Sequence, residues 1–187
     1  MSLFAGECVT VEGHNGSGKT SLLRLLAGLV QPAAGHGEVL GVPLGFRPHL
    51  PDSVAMVGHE TSLHPDLTVH ENLQLVGDLL GRPRREIDTQ LHRVGLEALA
   101  GRVVSGCSAG MRRRAEFARV GLISPDLLLL DEPDTSLDGD ARQVVDDAIA
   151  DVLGRRGTVV LVSHDPARAA MLATRRTELR HGRLAAV

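Results

Sequence analysis

The chain has 187 residues, enough for one domain with a sizeable core, and its 43% hydrophobic and 23% charged content is that of an ordinary globular protein. A formal charge of −3 supplies no basic footprint for nucleic acid, and no stretch approaches the ~20 apolar residues that span a bilayer. Two cysteines, Cys8 and Cys107, are too few for a disulfide framework or a Cys-rich metal site, which points to a reducing, cytosolic compartment.

In chain order, Glu7–Val11 reads as a strand, followed by a glycine-rich turn and a leucine-rich helix over Lys19–Leu29 that stops before Pro32. Pro32 to Leu50 is rich in Gly and Pro, with a short strand near Glu38–Leu40, and Val54–Val57 is a further strand. Val69–Leu80 and Arg84–Val94 read as helices broken by Gly81-Arg82-Pro83, and Arg112–Ile123 as a helix that is basic and then amphipathic. Leu127–Leu130 is a continuous apolar run, the mark of a strand buried on both faces of a parallel sheet. A helix over Ala141–Leu153 and a second buried strand over Thr158–Val162 follow. Alternating strands and helices predict an α/β fold with a mostly parallel sheet, one domain over 1–187, with a helical insertion at about 66–110.

The chain uses arginine throughout and lysine once, at Lys19. That lysine lies in Gly13-His14-Asn15-Gly16-Ser17-Gly18-Lys19-Thr20, which fits the phosphate-binding pattern G-x-x-x-x-G-K-[ST] between a strand and a helix. Three glycines let the loop turn its N–H groups inward as an anion nest, and the dipole of the following helix, whose first turn carries Thr20 and Ser21, favours phosphate there. A compact ammonium fits such a loop where a planar guanidinium does not. Asp131 closes the Leu127–Leu130 strand, where open α/β sheets place ligands. In P-loop NTPases an Asp at this place holds Mg²⁺, directly or through water, with the loop hydroxyl, here Thr20, as a direct ligand. Glu132 beside it can orient and deprotonate a water, and His164, after the next strand, can hydrogen-bond a γ-phosphate or that water.

Ser108-Ala109-Gly110-Met111 before Arg112-Arg113-Arg114 resembles the signature of ATP-binding cassette (ABC) ATPases; Ser136-Leu137-Asp138 resembles their D-loop and Ser163-His164-Asp165 their switch histidine. The resemblance runs from Glu7 to about Val187. It implies a P-loop core with a small helical subdomain, ATP and Mg²⁺ as cofactors, and hydrolysis driven by Glu132 with His164 sensing the γ-phosphate. It also implies a head-to-tail pair with a second cassette, most simply a homodimer. ATP on one P-loop would be capped by Ser108, Ala109 and Gly110 of the other protomer, with Asp138 communicating across the interface. The partners it implies are separate transmembrane permease subunits and no nucleic acid, with the chain peripheral on the cytoplasmic face of the membrane. GTPases are set apart by an N-K-x-D motif, which a chain with one lysine, at Lys19, lacks.

Three places depart from the family pattern. His59 stands where Gln usually contacts Mg²⁺ or its water, and an imidazole is a poorer ligand for that hard ion. The Gly58-His59 pair and Ala109 resemble the ATP-binding subunits of cytochrome c maturation (haem export) systems. Met111, in place of Gln, resembles drug and antibiotic exporters, which rank second; a soluble ABC ATPase outside transport and a non-hydrolysing module rank below. Finally, the chain begins twelve residues before Gly13, so the family's N-terminal strands are expected to be incomplete, and their adenine-stacking aromatic has no Tyr or Trp here. Loss of such a stack weakens binding by ~1 kcal/mol, which implies weaker ATP affinity and poorer discrimination against GTP.

Overall fold

The computed structural model describes residues 1–45, 53–134 and 139–186. Strand β1 (Cys8–Glu12) leads to helix α1 (Lys19–Leu26), and a small hairpin, β2 (Glu38–Val39) and β3 (Val42–Pro43), follows. Next come β4 (Val54–Val57), α2 (Val69–Leu79), α3 (Arg84–Arg93), two 3-10 turns at Glu97–Leu99 and Val104–Gly106, and α4 (Ala109–Ile123). The chain ends with β5 (Leu127–Asp131), α5 (Gly139–Gly154), β6 (Thr158–Val162), α6 (Pro166–Leu172), β7 (Arg175–Arg180) and β8 (Arg183–Ala186).

Six strands form one sheet in the order β4-β5-β6-β1-β7-β8. All neighbours pair in parallel except the final β7–β8 hairpin. The alternating side chains of β5 and β6 divide between two apolar layers. Leu128, Leu130, Val159 and Leu161 face the layer that holds Phe117 of α4 and Val145 of α5. Leu127, Leu129, Val160 and Val162 face the layer under Leu23 of α1. Both strands are buried along their whole length, as their unbroken apolar runs predict. Leu73 of α2 and Ile87 of α3 belong to the same layer as Phe117, so these helices share the core of the sheet.

The elements read from sequence are present, with ends shifted by one to three residues. Helix α1 stops at Leu26, because Gly28 adopts a φ of 66° that favours glycine and ends the turn. Helix α4 starts earlier than expected, at Ala109, because Ser108 caps it by accepting the Met111 N–H at 3.2 Å. Strand β7, strand β8 and helix α6 were not read from the sequence. In β7 the inward positions are Thr177 and Leu179 alone, and its arginines and glutamate mask the alternation.

Helix α4 is bolted to β4 and the segment that leaves it by three side chains on one face. Glu116, 3% exposed, accepts from the Thr61 hydroxyl at 2.7 Å and from the Ser62 N–H, and it pairs with Arg119 Nε at 2.9 Å. Arg119 donates onward to Met56 O, and Arg113 donates to Gly58 O at 2.7 Å. Removing one partner of a buried pair strands the other's charge, so Glu116→Ala should cost about 3–5 kcal/mol in urea denaturation, with Glu116→Gln costing less. A loss below about 1 kcal/mol would show that these bonds do not hold α4 in place.

Candidate functional site

Strands β1, β5 and β6 end at one edge of the sheet, since Asp131 pairs with Val162 and Thr10 with Leu161. The Gly13–Thr20 loop, Asp131-Glu132 and Ser163-His164 therefore leave the sheet side by side. Gly13 has a φ of 147°, and a Cβ there would stand 2.6 Å from the Leu179 carbonyl oxygen of β7, so only glycine fits. Gly18 caps α1 with a φ of 101°, which turns the chain into the helix without a side-chain cap.

Lys19 is buried inside this loop, and its ammonium donates to Gly13 O at 2.8 Å and His14 O at 3.0 Å. A compact ammonium thus occupies the middle of the turn, as the single lysine implies. Asn15 and Gly16 lie exposed at its crest, and the His14 ring meets Asn15 O at 2.7 Å. Ser21 lies exposed in the first turn of α1, whose leading N–H groups have no partner within the helix. Ser17 Oγ is buried without a hydrogen-bond partner among the described residues.

The Thr20 hydroxyl donates to Asp131 Oδ2 at 2.7 Å and joins the start of α1 to the end of β5. Asp131 is 6% exposed. Beside it Glu132 has a φ of 52°, a left-handed conformation that costs a side-chain-bearing residue ~1–2 kcal/mol. Its N–H is held by Val162 O at 2.9 Å, and its Oε1 meets His164 Nε2 at 2.7 Å. A strained acid, paired with a half-exposed histidine at a strand end, is the kind of over-determined local structure that clusters at functional sites. The carboxylate can accept a proton from a nearby water, and the imidazole can hold the carboxylate's orientation.

The donor set also fits a hard divalent cation. Thr20 and Asp131 present a hydroxyl and a carboxylate oxygen within 2.7 Å of one another. No group of three or more His, Cys, Asp or Glu among the described residues could cage a metal alone. That combination suits Mg²⁺, which is commonly held by one or two protein oxygens with substrate phosphates and water completing its shell.

His59 follows β4, whose end lies beside that of β5, and is exposed on a pocket shared with Thr61, Ala109, Arg112, Arg113 and Glu116. The structure thus joins His59 to the start of α4, where Ser108, Ala109 and Gly110 lie. A Cβ at Gly110 would meet open space, so this end of α4 is free to approach another surface. Met111 instead packs against the core. Ser136, Leu137 and Asp138 lie outside the described residues.

No aromatic side chain among the described residues serves the loop. Phe117 is buried in the core, and the Phe4 carbonyl accepts from Thr158 at the start of β6, the opposite edge of the sheet. Phe46 lies outside the described residues.

Sequence reasoning missed two groups of polar residues. One is the Arg113–Glu116–Arg119 face of α4, whose i, i+3, i+6 spacing was legible but whose partners are distant in sequence. The other is Arg168, which donates through Nε to Asp134 Oδ2 at 2.5 Å and through Nη2 to Asp146 Oδ1 at 2.8 Å. Burial works against the Arg168 charge, but bonds to Asp134 and Asp146 outweigh it and leave the pKa above the ordinary arginine value. Arg113 goes the other way: burial lowers its pKa despite attraction from Glu116, Asp134 and Asp131.

Comparison with known proteins fits this geometry. The chain is 39% identical over 160 residues to the cytochrome c biogenesis ATP-binding export protein CcmA of Bradyrhizobium diazoefficiens, covering 86% of this chain and 79% of that protein. It is 37% identical over 188 residues to the Nod factor export ATP-binding protein I of Rhizobium sp. (strain N33), covering 98% of this chain but only 62% of that protein. A solved structure described as the ATP binding subunit of an ABC transporter superposes on all of this chain and 81% of its own, with a TM-score of 0.87 at 22% identity. No helix among the described residues is long and apolar enough to cross a membrane. The sequence model of the ABC transporter family, whose ATP-binding domains are ATPases coupled to transport, matches residues 1–135, and the chain belongs to that family and carries the fold of its ATP-binding subunits.

Proposed function

We propose that this chain binds ATP with Mg²⁺ and hydrolyses it as the energy-coupling subunit of a membrane exporter. The observation that carries the proposal is the Thr20–Asp131 bond at 2.7 Å, beside a buried loop lysine and a Glu132–His164 pair at 2.7 Å. Gly13 to Thr20 and Ser21 would wrap the phosphates with backbone N–H groups, Lys19 would exchange its loop carbonyls for phosphate oxygens, and Thr20 with Asp131 would hold the cation. Bound there, the cation would neutralise charge on the phosphates. Glu132 would accept the proton of a water as its oxygen bonds to the γ-phosphorus and the bond to the β-phosphate oxygen breaks. His164 would hold Glu132 in place and donate to the γ-phosphate.

The site is completed, in this reading, by a second copy of the chain. Ser108, Ala109 and Gly110, at the open start of α4, would cap the γ-phosphate bound by the partner, and Asp138 would link the two sites. His59 would report the nucleotide to a transmembrane permease, the assembly lying on the cytoplasmic face of the membrane. Glu132→Gln should abolish phosphate release, measured colorimetrically, while leaving ATP-dependent dimerisation intact by gel filtration. Turnover near the parental rate would remove Glu132 from the role of base.

For the pathway, we favour cytochrome c maturation, on His59, Ala109 and the 39% identical relative. A second reading, a drug- or antibiotic-type exporter, is supported by Met111, and the 37% identity to a Nod factor export protein also favours a cargo other than haem. Membrane proteins that copurify with the tagged Glu132→Gln chain in ATP, identified by mass spectrometry, decide between them. Cytochrome c maturation permeases are the expected catch, and a drug-type permease would overturn that assignment.

A further inference from the structure

Arg168 has no part in the chemistry above, yet it joins three segments that surround it. Asp134 lies two residues after Glu132, on the segment leaving β5. Arg168 lies four residues after His164, in the first turn of α6. Asp146 lies on α5, which returns the chain to β6. The guanidinium reaches Asp134 through Nε and Asp146 through Nη1 and Nη2, and its side chain is only 17% exposed. Helix α6 is itself fixed at its start, where Asp165 Oδ1 accepts from the Ala167 and Arg168 N–H groups at 3.0 Å. His164 therefore stands next to the Asp165 cap of a helix whose first turn is tied to the segment carrying Glu132.

Glu132 needs such a tie. Its left-handed backbone is strained, and a strained residue keeps its conformation only where its surroundings fix it from several sides. The Val162 carbonyl fixes its N–H, and His164 fixes its carboxylate. Neither bond fixes the chain that continues beyond Pro133, and Arg168 does so through Asp134. A planar fork holds two carboxylates on separate elements in fixed directions, which the compact, rotatable ammonium of a lysine does not.

We infer that Arg168 is a positioning residue, which sets Glu132 and His164 in register for hydrolysis by bridging Asp134 to Asp146. This rests on the ATPase reading above. The Asp134–Arg168 bond acts on the rate of the chemical step, because the P-loop, Thr20 and Asp131 make no bond to this bridge.

The test compares steady-state ATP hydrolysis and thermal unfolding of the full chain with those of two variants. Arg168→Lys keeps the charge but not the fork. The triple variant Asp134→Asn, Asp146→Asn, Arg168→Met removes the buried charges with the bridge, so it guards against a loss caused by stranded carboxylates. In both, kcat should fall by up to about 10²-fold, the cost of a misplaced reacting group, with KM within about twofold and a melting temperature close to parental. The inference is overturned if Arg168→Lys turns over at the parental rate, if KM rises as kcat falls, or if the triple variant regains parental kcat. A parental chain that releases no phosphate would overturn the ATPase reading itself, and the inference with it.

Discussion

The bond from the Thr20 hydroxyl to Asp131 is the contact on which the rest of the site depends. Strands β1 and β5 are not neighbours, since β6 lies between them. At about 4.8 Å per strand their ends stand roughly 10 Å apart. The first turn of α1 closes that gap, and Thr20 is the residue that completes it. The bond places the phosphate-binding turn and the acidic strand end around one point, which neither sequence segment could do alone. It also leaves an oxygen pair suited to a hard cation, so the contact that organises the fold locally is the one the proposed chemistry would use.

Around that point the structure spends its buried charge on fixing segments rather than on the core. Glu116 and Arg119 secure the chain leaving β4, Arg113 secures Gly58 beside His59, and Arg168 secures the segments leaving β5 and β6. Each of these groups links residues dozens of positions apart. Their common effect is that the loops at the edge of the sheet are held by side chains from α4 and α6, while the apolar layers hold the helices. Bonds of this type contribute less to net stability than to the uniqueness of the geometry, because desolvating the charges offsets much of their attraction.

The sheet and the phosphate loop were legible in the sequence because local signals agreed with the global fold. Leu127–Leu130 and Thr158–Val162 are apolar without interruption, and the glycine spacing around Lys19 admits few other structures. Strand β7 was illegible because its pairing with β1 is satisfied by charge as much as by apolar packing. Arg176 meets Glu12 and Arg175 meets Glu7, so its residues read as a polar surface. The roles of Asp134, Asp146 and Arg168 were equally hidden: each is an ordinary surface residue type until the fold brings the three together. Met111 raised a question of lineage in the sequence, and its side chain packs inward against the core.

The central claim is that Thr20, Asp131 and a bound triphosphate share one divalent cation. Electron paramagnetic resonance of Mn²⁺ with ATP and the Glu132→Gln chain tests this most directly. The account predicts that Mn²⁺ stays with the chain through gel filtration only when ATP is present, shows hyperfine coupling from ATP phosphorus in that bound fraction, and is no longer retained by Thr20→Val. Equal Mn²⁺ binding without nucleotide, or a signal with no phosphorus coupling, would contradict it.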